Sequence, residues 1–168
     1  MKYSIVYSSR TGNTKLLAEQ IKTILPEESL ISSGQPSEEA AEADLIFLGF
    51  WTDKGCCDET LSAFLRTLNG RKIFLFGTAG FGQSETYFQK ILSRVRELIP
   101  ASCQVIGSFM CQGKMPVSVR KRYEGLMEQD PEKARALIAN FDQALTHPDQ
   151  NDLQRLTEKI RELHLDSN

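Results

Sequence analysis

Two short runs of this chain are apolar at every position: Leu45-Ile46-Phe47-Leu48 and Ile73-Phe74-Leu75-Phe76. A strand with one wet face alternates apolar and polar residues, whereas a strand apolar at consecutive positions is buried on both faces. Such strands fit a parallel sheet covered by helices, because parallel neighbours need long crossovers and helices supply them. Tyr3 to Tyr7 and Cys103 to Met110 read as two further strands, and Ser29-Leu30-Ile31 as an edge strand.

Helical spacing lies between these runs. Leu17, Ile21 and Ile24 mark a helix stopped by Pro26, and Leu61, Phe64, Leu65 and Leu68 mark one ended by Asn69-Gly70. Phe88, Ile91, Leu92, Val95 and Leu98 lead to Pro100, with Ser84 as the N-cap. Asp130-Pro131 reads as N-cap and first helical residue before Leu137, Ile138, Phe141 and Leu145. With right-handed crossovers, this alternation predicts an α/β domain: a doubly wound five-stranded parallel sheet of order 2-1-3-4-5.

Two segments exceed that plan. One, residues 112–129, contains the basic cluster Arg120-Lys121-Arg122. The other runs from Asp152 to Leu165, with Leu153, Leu156, Ile160 and Leu163 at helical spacing. It either docks on the domain or binds a partner helix-in-groove. The chain is thus expected to form a domain over residues 1–146, with a linker and an extra C-terminal amphipathic helix packed on it over 147–168.

The 168 residues carry a formal net charge of -2, which gives no reason to expect nucleic-acid binding. No apolar run approaches the ~18 residues needed to span a bilayer, and the N-terminus lacks the pattern of a signal peptide. The expectation is a cytoplasmic protein without a membrane partner, whose four cysteines are thiols. Cys56 and Cys57 are adjacent, which is poor geometry for a bridge. Cys103 and Cys111 lack the spacing of a metal clip, so no metal is expected.

Chemistry is expected first at Ser9-Arg10-Thr11-Gly12-Asn13-Thr14, between the first strand and the first helix. Hydroxyls and backbone N–H groups at a helix N-terminus form an anion site. The alternative is a helix cap rich in Ser and Thr. There is no Gly-Lys-Ser/Thr and no GxGxxG, so neither a P-loop nor a dinucleotide fingerprint is present.

This hexapeptide resembles the phosphate loop of flavodoxins, Thr/Ser-x-Thr-Gly-Asn-Thr, and the resemblance extends from Met1 to about Leu145. In detail the chain is similar to the small flavodoxin-like proteins of anaerobic bacteria. The resemblance implies a flavodoxin-like fold, bound FMN and single-electron transfer to a redox partner protein, such as a flavin or iron–sulfur reductase, bilirubin reductase among them. It implies that Ser9, Arg10, Thr11, Gly12, Asn13 and Thr14 hold the phosphate.

It further implies that the loop after the third strand, from Gly49 to Asp58, lies along the flavin ring. Trp51, Thr52 and Gly55 are its cofactor residues, and Trp51 suits stacking on a planar electron-poor ring. The Lys54-Gly55 peptide would turn its carbonyl toward flavin N5, since positive φ costs glycine little; an ordinary turn glycine is the alternative. The loop after the fourth strand, Gly77 to Ser84, would bind the other edge through Thr78, Ala79, Gly80, Phe81 and Gly82, with Phe81 or Tyr87 as a second ring. The acidic residue that flavodoxins often place in this loop is missing.

Cys56 and Cys57 are either redox thiols beside the flavin or small loop residues. Cys111-Gln112-Gly113-Lys114, after the last strand and also at the carboxyl edge, either lines the site or binds a partner; for Lys114 and Arg120-Lys121-Arg122 a solvated face is the further alternative. His147 and His164 lie far in sequence from every site loop, and no residue is assigned a catalytic role. Two other functions share the expected fold: an NAD(P)H-dependent FMN or quinone reductase, and a flavin-free subunit that binds a partner.

Overall fold

The computed structural model describes residues 1–82 and 84–165, so Gln83 of the glycine-rich loop lies outside the described residues. Strands Tyr3–Tyr7 (β1), Leu30–Gly34 (β2), Leu45–Trp51 (β3), Lys72–Ala79 (β4) and Gln104–Gln112 (β5) pair in parallel, in the order β2-β1-β3-β4-β5. This is the doubly wound sheet that the consecutive apolar runs demand. Leu45 to Phe50 and Ile73 to Ala79 are buried at every position, so each central strand feeds the packing on both faces.

The helices are Asn13–Ile24 (α1), Glu38–Ala41 (α2), Glu59–Thr67 (α3), Glu85–Arg96 (α4), Val117–Glu124 (α5), Pro131–Ala144 (α6) and Gln150–Arg161 (α7). On one face, Leu61, Phe64 and Leu65 of α3 and Phe88, Ile91, Leu92 and Val95 of α4 close over Val6, Ile46, Leu48 and Leu75. On the other, Leu17, Ala18 and Ile21 of α1 and Leu156 and Ile160 of α7 close over Ile5, Phe47, Phe74 and Phe109. Burying a Leu, Ile or Phe side chain stabilises by about 1.5–3 kcal/mol, so these two layers dominate the stability of the domain.

Several elements begin where the sequence signals them. The side chains of Asp58, Ser84 and Asp130 accept the N–H of Leu61, Tyr87 and Lys133, capping α3, α4 and α6. Other boundaries differ from expectation. β5 continues past Met110 through Cys111 and Gln112, because Thr78 and Ala79 of β4 are there to pair with them. α2 and α5 were not expected. α2 spans one turn, and α5 buries none of its residues, so neither leaves an apolar period to read.

The C-terminal helix docks rather than standing free. It lies against α1 and β5, and its start is fixed by a capping box between Asp149 and Asp152. The Asp130 helix, α6, instead packs with α5. It buries Ala134, Phe141 and Ala144 and leaves Leu145 49% exposed, so its expected apolar face is only partly covered. α5 and α6, which follow β5 in the chain, thus form a small outwork beside the carboxyl ends of the strands, where Asn140 meets Gln112 and Gly80.

Candidate functional site

The loops that leave the carboxyl ends of β1, β3, β4 and β5 surround a cleft of about 320 Å³. Clefts for small ligands run from roughly 300 to 1,000 Å³. Arg10, Thr11 and Asn13 line it from the first turn; Trp51, Thr52 and Gly55 from the β3 loop; Thr78, Ala79, Gly80 and Phe81 from β4 and its loop. Ser9, Gly12, Thr14 and Gly82 do not face the cleft directly.

The first turn has a defined internal order. Gly12 has φ 87, a conformation that glycine adopts without cost, and it is the N-cap of α1. No side chain caps the helix from that position. Ser9 serves instead: its hydroxyl oxygen accepts the N–H of Gly12 at 3.1 Å and of Lys15 at 3.3 Å. Thr14 is fully buried, its hydroxyl 3.4 Å from that of Thr78. The Asn13 amide donates to the Lys114 carbonyl at 2.9 Å, which ties the turn to the loop after β5. The sequence offered Ser9, Thr14 and Asn13 as anion donors; in the fold, their polar atoms also hold the turn together.

In the β3 loop, Asp58 is the organiser. It accepts from the Trp51 indole N–H at 3.3 Å and from the Ser8 hydroxyl, while its other oxygen caps α3. The indole ring is therefore set from behind. Arg10 lies over its face, guanidinium carbon 5.5 Å from the ring centroid. Lys54 and Gly55 form the tip of a two-residue turn, with φ 49 and 79, closed by paired bonds between Asp53 and Cys56. The Gly55 carbonyl accepts from Arg94 of α4 at 3.4 Å.

The β4 loop is clamped from outside. The Gly80 carbonyl accepts from the Gln112 amide at 3.0 Å and the Asn140 amide at 3.1 Å. A Cβ on Gly80 would come within 2.5 Å of the Met115 sulfur, so a larger residue there would push the Met115 side chain aside. Phe81 is 40% exposed and packs edge-on against Tyr87 at 6.3 Å. Burial raises the Tyr87 phenol above its ordinary 10.0, so it enters the cleft as a neutral ring.

The fourth wall comes from the segment that follows β5. Gly113, Lys114, Met115, Pro116 and Val119 line the cleft from the β5 loop and the start of α5. Gly113 and Lys114 lie where the segment after the last strand was expected either to line the site or to bind a partner; Met115, Pro116 and Val119 carried no such signal. Cys56 and Cys57 lie outside the lining residues, and all four cysteines are free thiols. Burial, then the neighbouring Cys56, pushes the Cys57 thiol up to about 12, and burial also raises Cys111. Both are poor thiolates.

Over residues 4–161 the chain matches the flavodoxin domain. It belongs to the flavodoxin domain family. The flavodoxin-like domain-containing protein BilS of Clostridium symbiosum (strain WAL-14163) is 40% identical over 172 residues, covering 91% of this chain and 90% of that one. The protein of the same description from Clostridioides difficile (strain CD3) is 33% identical over 162 residues, with the same coverage. Among solved structures, a short-chain flavodoxin associated with a PDU bacterial microcompartment superposes with a TM-score of 0.64 at 15% identity, over 100% of this chain and 99% of that one. A Streptococcus flavodoxin gives 0.59 at 15%, over 99% of each. These likenesses show the flavodoxin fold, as the sheet order does independently. Among the described residues, no helix of this flavodoxin domain is long and apolar enough to cross a membrane.

Proposed function

We propose that this protein binds FMN in the cleft and passes single electrons to a partner reductase. One observation carries the reading: the hydroxyl-rich turn, the Trp51 loop and the glycine-rich β4 loop converge on one cleft in a chain of the flavodoxin domain family. The residues fit the cofactor. Residues 9–14 would hold the phosphate, with the N–H groups and dipole of α1 favouring an anion. Each hydrogen bond to a charged group contributes about 1.5–3 kcal/mol, so a few suffice without a P-loop lysine. Trp51 and Phe81 would flank the ring system, with Thr52, Gly55, Thr78, Ala79 and Gly80 shaping its edges and Gly82 supporting that loop from outside the cleft.

When bound, FMN supplies the electron chemistry; the chain binds it, orients it and sets its surroundings. No side chain acts as acid, base or nucleophile. A cytoplasmic location fits this role, and the partner would be a flavin or iron–sulfur reductase. Likeness to relatives named BilS supports bilirubin reductase as that partner.

The test compares FMN with riboflavin. Apoprotein should quench FMN fluorescence at least tenfold more tightly than riboflavin, because only FMN reaches the residue 9–14 turn. Equal affinities would remove the phosphate assignment. Anaerobic reduction of the holoprotein should proceed in two one-electron stages seen by visible absorbance. Steady NAD(P)H oxidation by the holoprotein alone would establish a hydride enzyme instead.

A further inference from the structure

We infer that the mouth of the cleft docks a redox protein whose own electron-transfer edge is ringed by carboxylates; this rests on the flavin reading above. Arg10, Lys54 and Lys114 all line the cleft, and all three are exposed. They come from the β1, β3 and β5 loops, so positive charge surrounds the opening rather than marking one side. Among the described residues, nothing lining the cleft carries a carboxylate. Asp58, behind Trp51, spends its oxygens on Ser8, Trp51 and the α3 cap. The basic ring is local, because the chain as a whole carries a net charge of -2.

The backbone presents these cations deliberately. Lys54 occupies a left-handed position, φ 49, that asparagine or glycine fills with less strain, and its side chain is exposed. Lys114 has its N–H on the His147 carbonyl and its own carbonyl on Asn13, so its main chain is fixed while the ammonium is free in solvent. Arg10 is held over Trp51. Between the charges the rim is apolar: Phe81 is 40% exposed, and Val117, next to the lining Pro116, is 64% exposed. An apolar centre ringed by one sign of charge suits a protein partner of the opposite sign, with charge steering the encounter.

The test follows oxidation of the reduced holoprotein by stopped flow. Three acceptors each take one electron, iron(III) becoming iron(II): acidic cytochrome b5, basic cytochrome c and the small anion hexacyanoferrate(III). The rate with cytochrome b5 should fall about tenfold between 20 and 500 mM salt, as a steered encounter is screened. The rate with cytochrome c should stay flat or rise. Lys54→Gln/Lys114→Gln, which keeps Arg10 beside the phosphate turn, should slow cytochrome b5 severalfold at low salt and flatten its salt dependence. A cytochrome b5 rate indifferent to salt, or unchanged in the variant, overturns the proposal. So does a salt response confined to hexacyanoferrate(III), which would mark a small-anion site. A wild-type protein that takes up no flavin absorbance fails earlier, and that failure belongs to the flavin reading.

Discussion

Lys54 holds a backbone conformation that costs an ordinary side chain about 1–2 kcal/mol. Its neighbour Gly55 shares the positive φ, and paired positive φ is the turn for which Asn-Gly is preferred. Lys54→Asn is therefore expected to raise the urea midpoint, a gain of about 1 kcal/mol at an unchanged m-value. A second prediction concerns the thiols. With Cys57 pushed up to about 12, roughly one molecule in ten thousand is thiolate at pH 8. Iodoacetamide followed by mass mapping should leave Cys57 and Cys111 unmodified long after the half-buried Cys56 and Cys103 have reacted. At this scale the sequence was legible where one residue type implies one conformation, as at Gly55. It was not legible where a hydroxyl or amide had two uses. Ser9 and Asn13 were read as ligand donors, and in the fold they also bond the turn and the Lys114 carbonyl.

Among the elements, α7 shows how an amphipathic stripe becomes part of the sheet's cover. Leu156 is fully buried against the β1, β3, β4 and α1 layer. Leu156→Ala should cost 2–5 kcal/mol, measured by urea unfolding. The start of the same helix is acid-sensitive. The Asp152 N–H, then the His147 ring, hold the Asp149 carboxyl below its ordinary 3.8. A depressed carboxyl stabilises fully above its ordinary value and loses that contribution as pH falls through the folded one. Hydrogen exchange in α7 should thus quicken relative to α3 as the pH drops below about 4, and Asp149→Asn should flatten that response. Strands and capped helices were readable because burial and capping leave periods and cap residues in the sequence. α5 was not, since a helix that buries none of its residues leaves neither.

For the whole molecule, the parallel sheet follows from runs such as Ile73 to Phe76, which no half-wet strand could carry. The four-sided cleft could not be read the same way. Its last wall depends on α5 and α6 folding back, and on Asn140 reaching Gly80 across 60 positions of chain. FMN should stabilise this assembly by mass action, by about 2.7 kcal/mol at a hundredfold excess over its Kd, and raise the Tm accordingly. Asn140→Ala should shrink that rise while leaving the apoprotein's Tm nearly as it was, because the amide closes the cleft rather than the core.

Lys114 itself is fastened only through its main-chain N–H and carbonyl. Nothing in that fastening reads the side chain at position 114. Its sign can be exchanged without rebuilding the cleft, and so can that at position 54. Descendants of one ancestral fold could therefore inherit the same cofactor pocket and diverge in whom they serve, with two codons setting the allegiance.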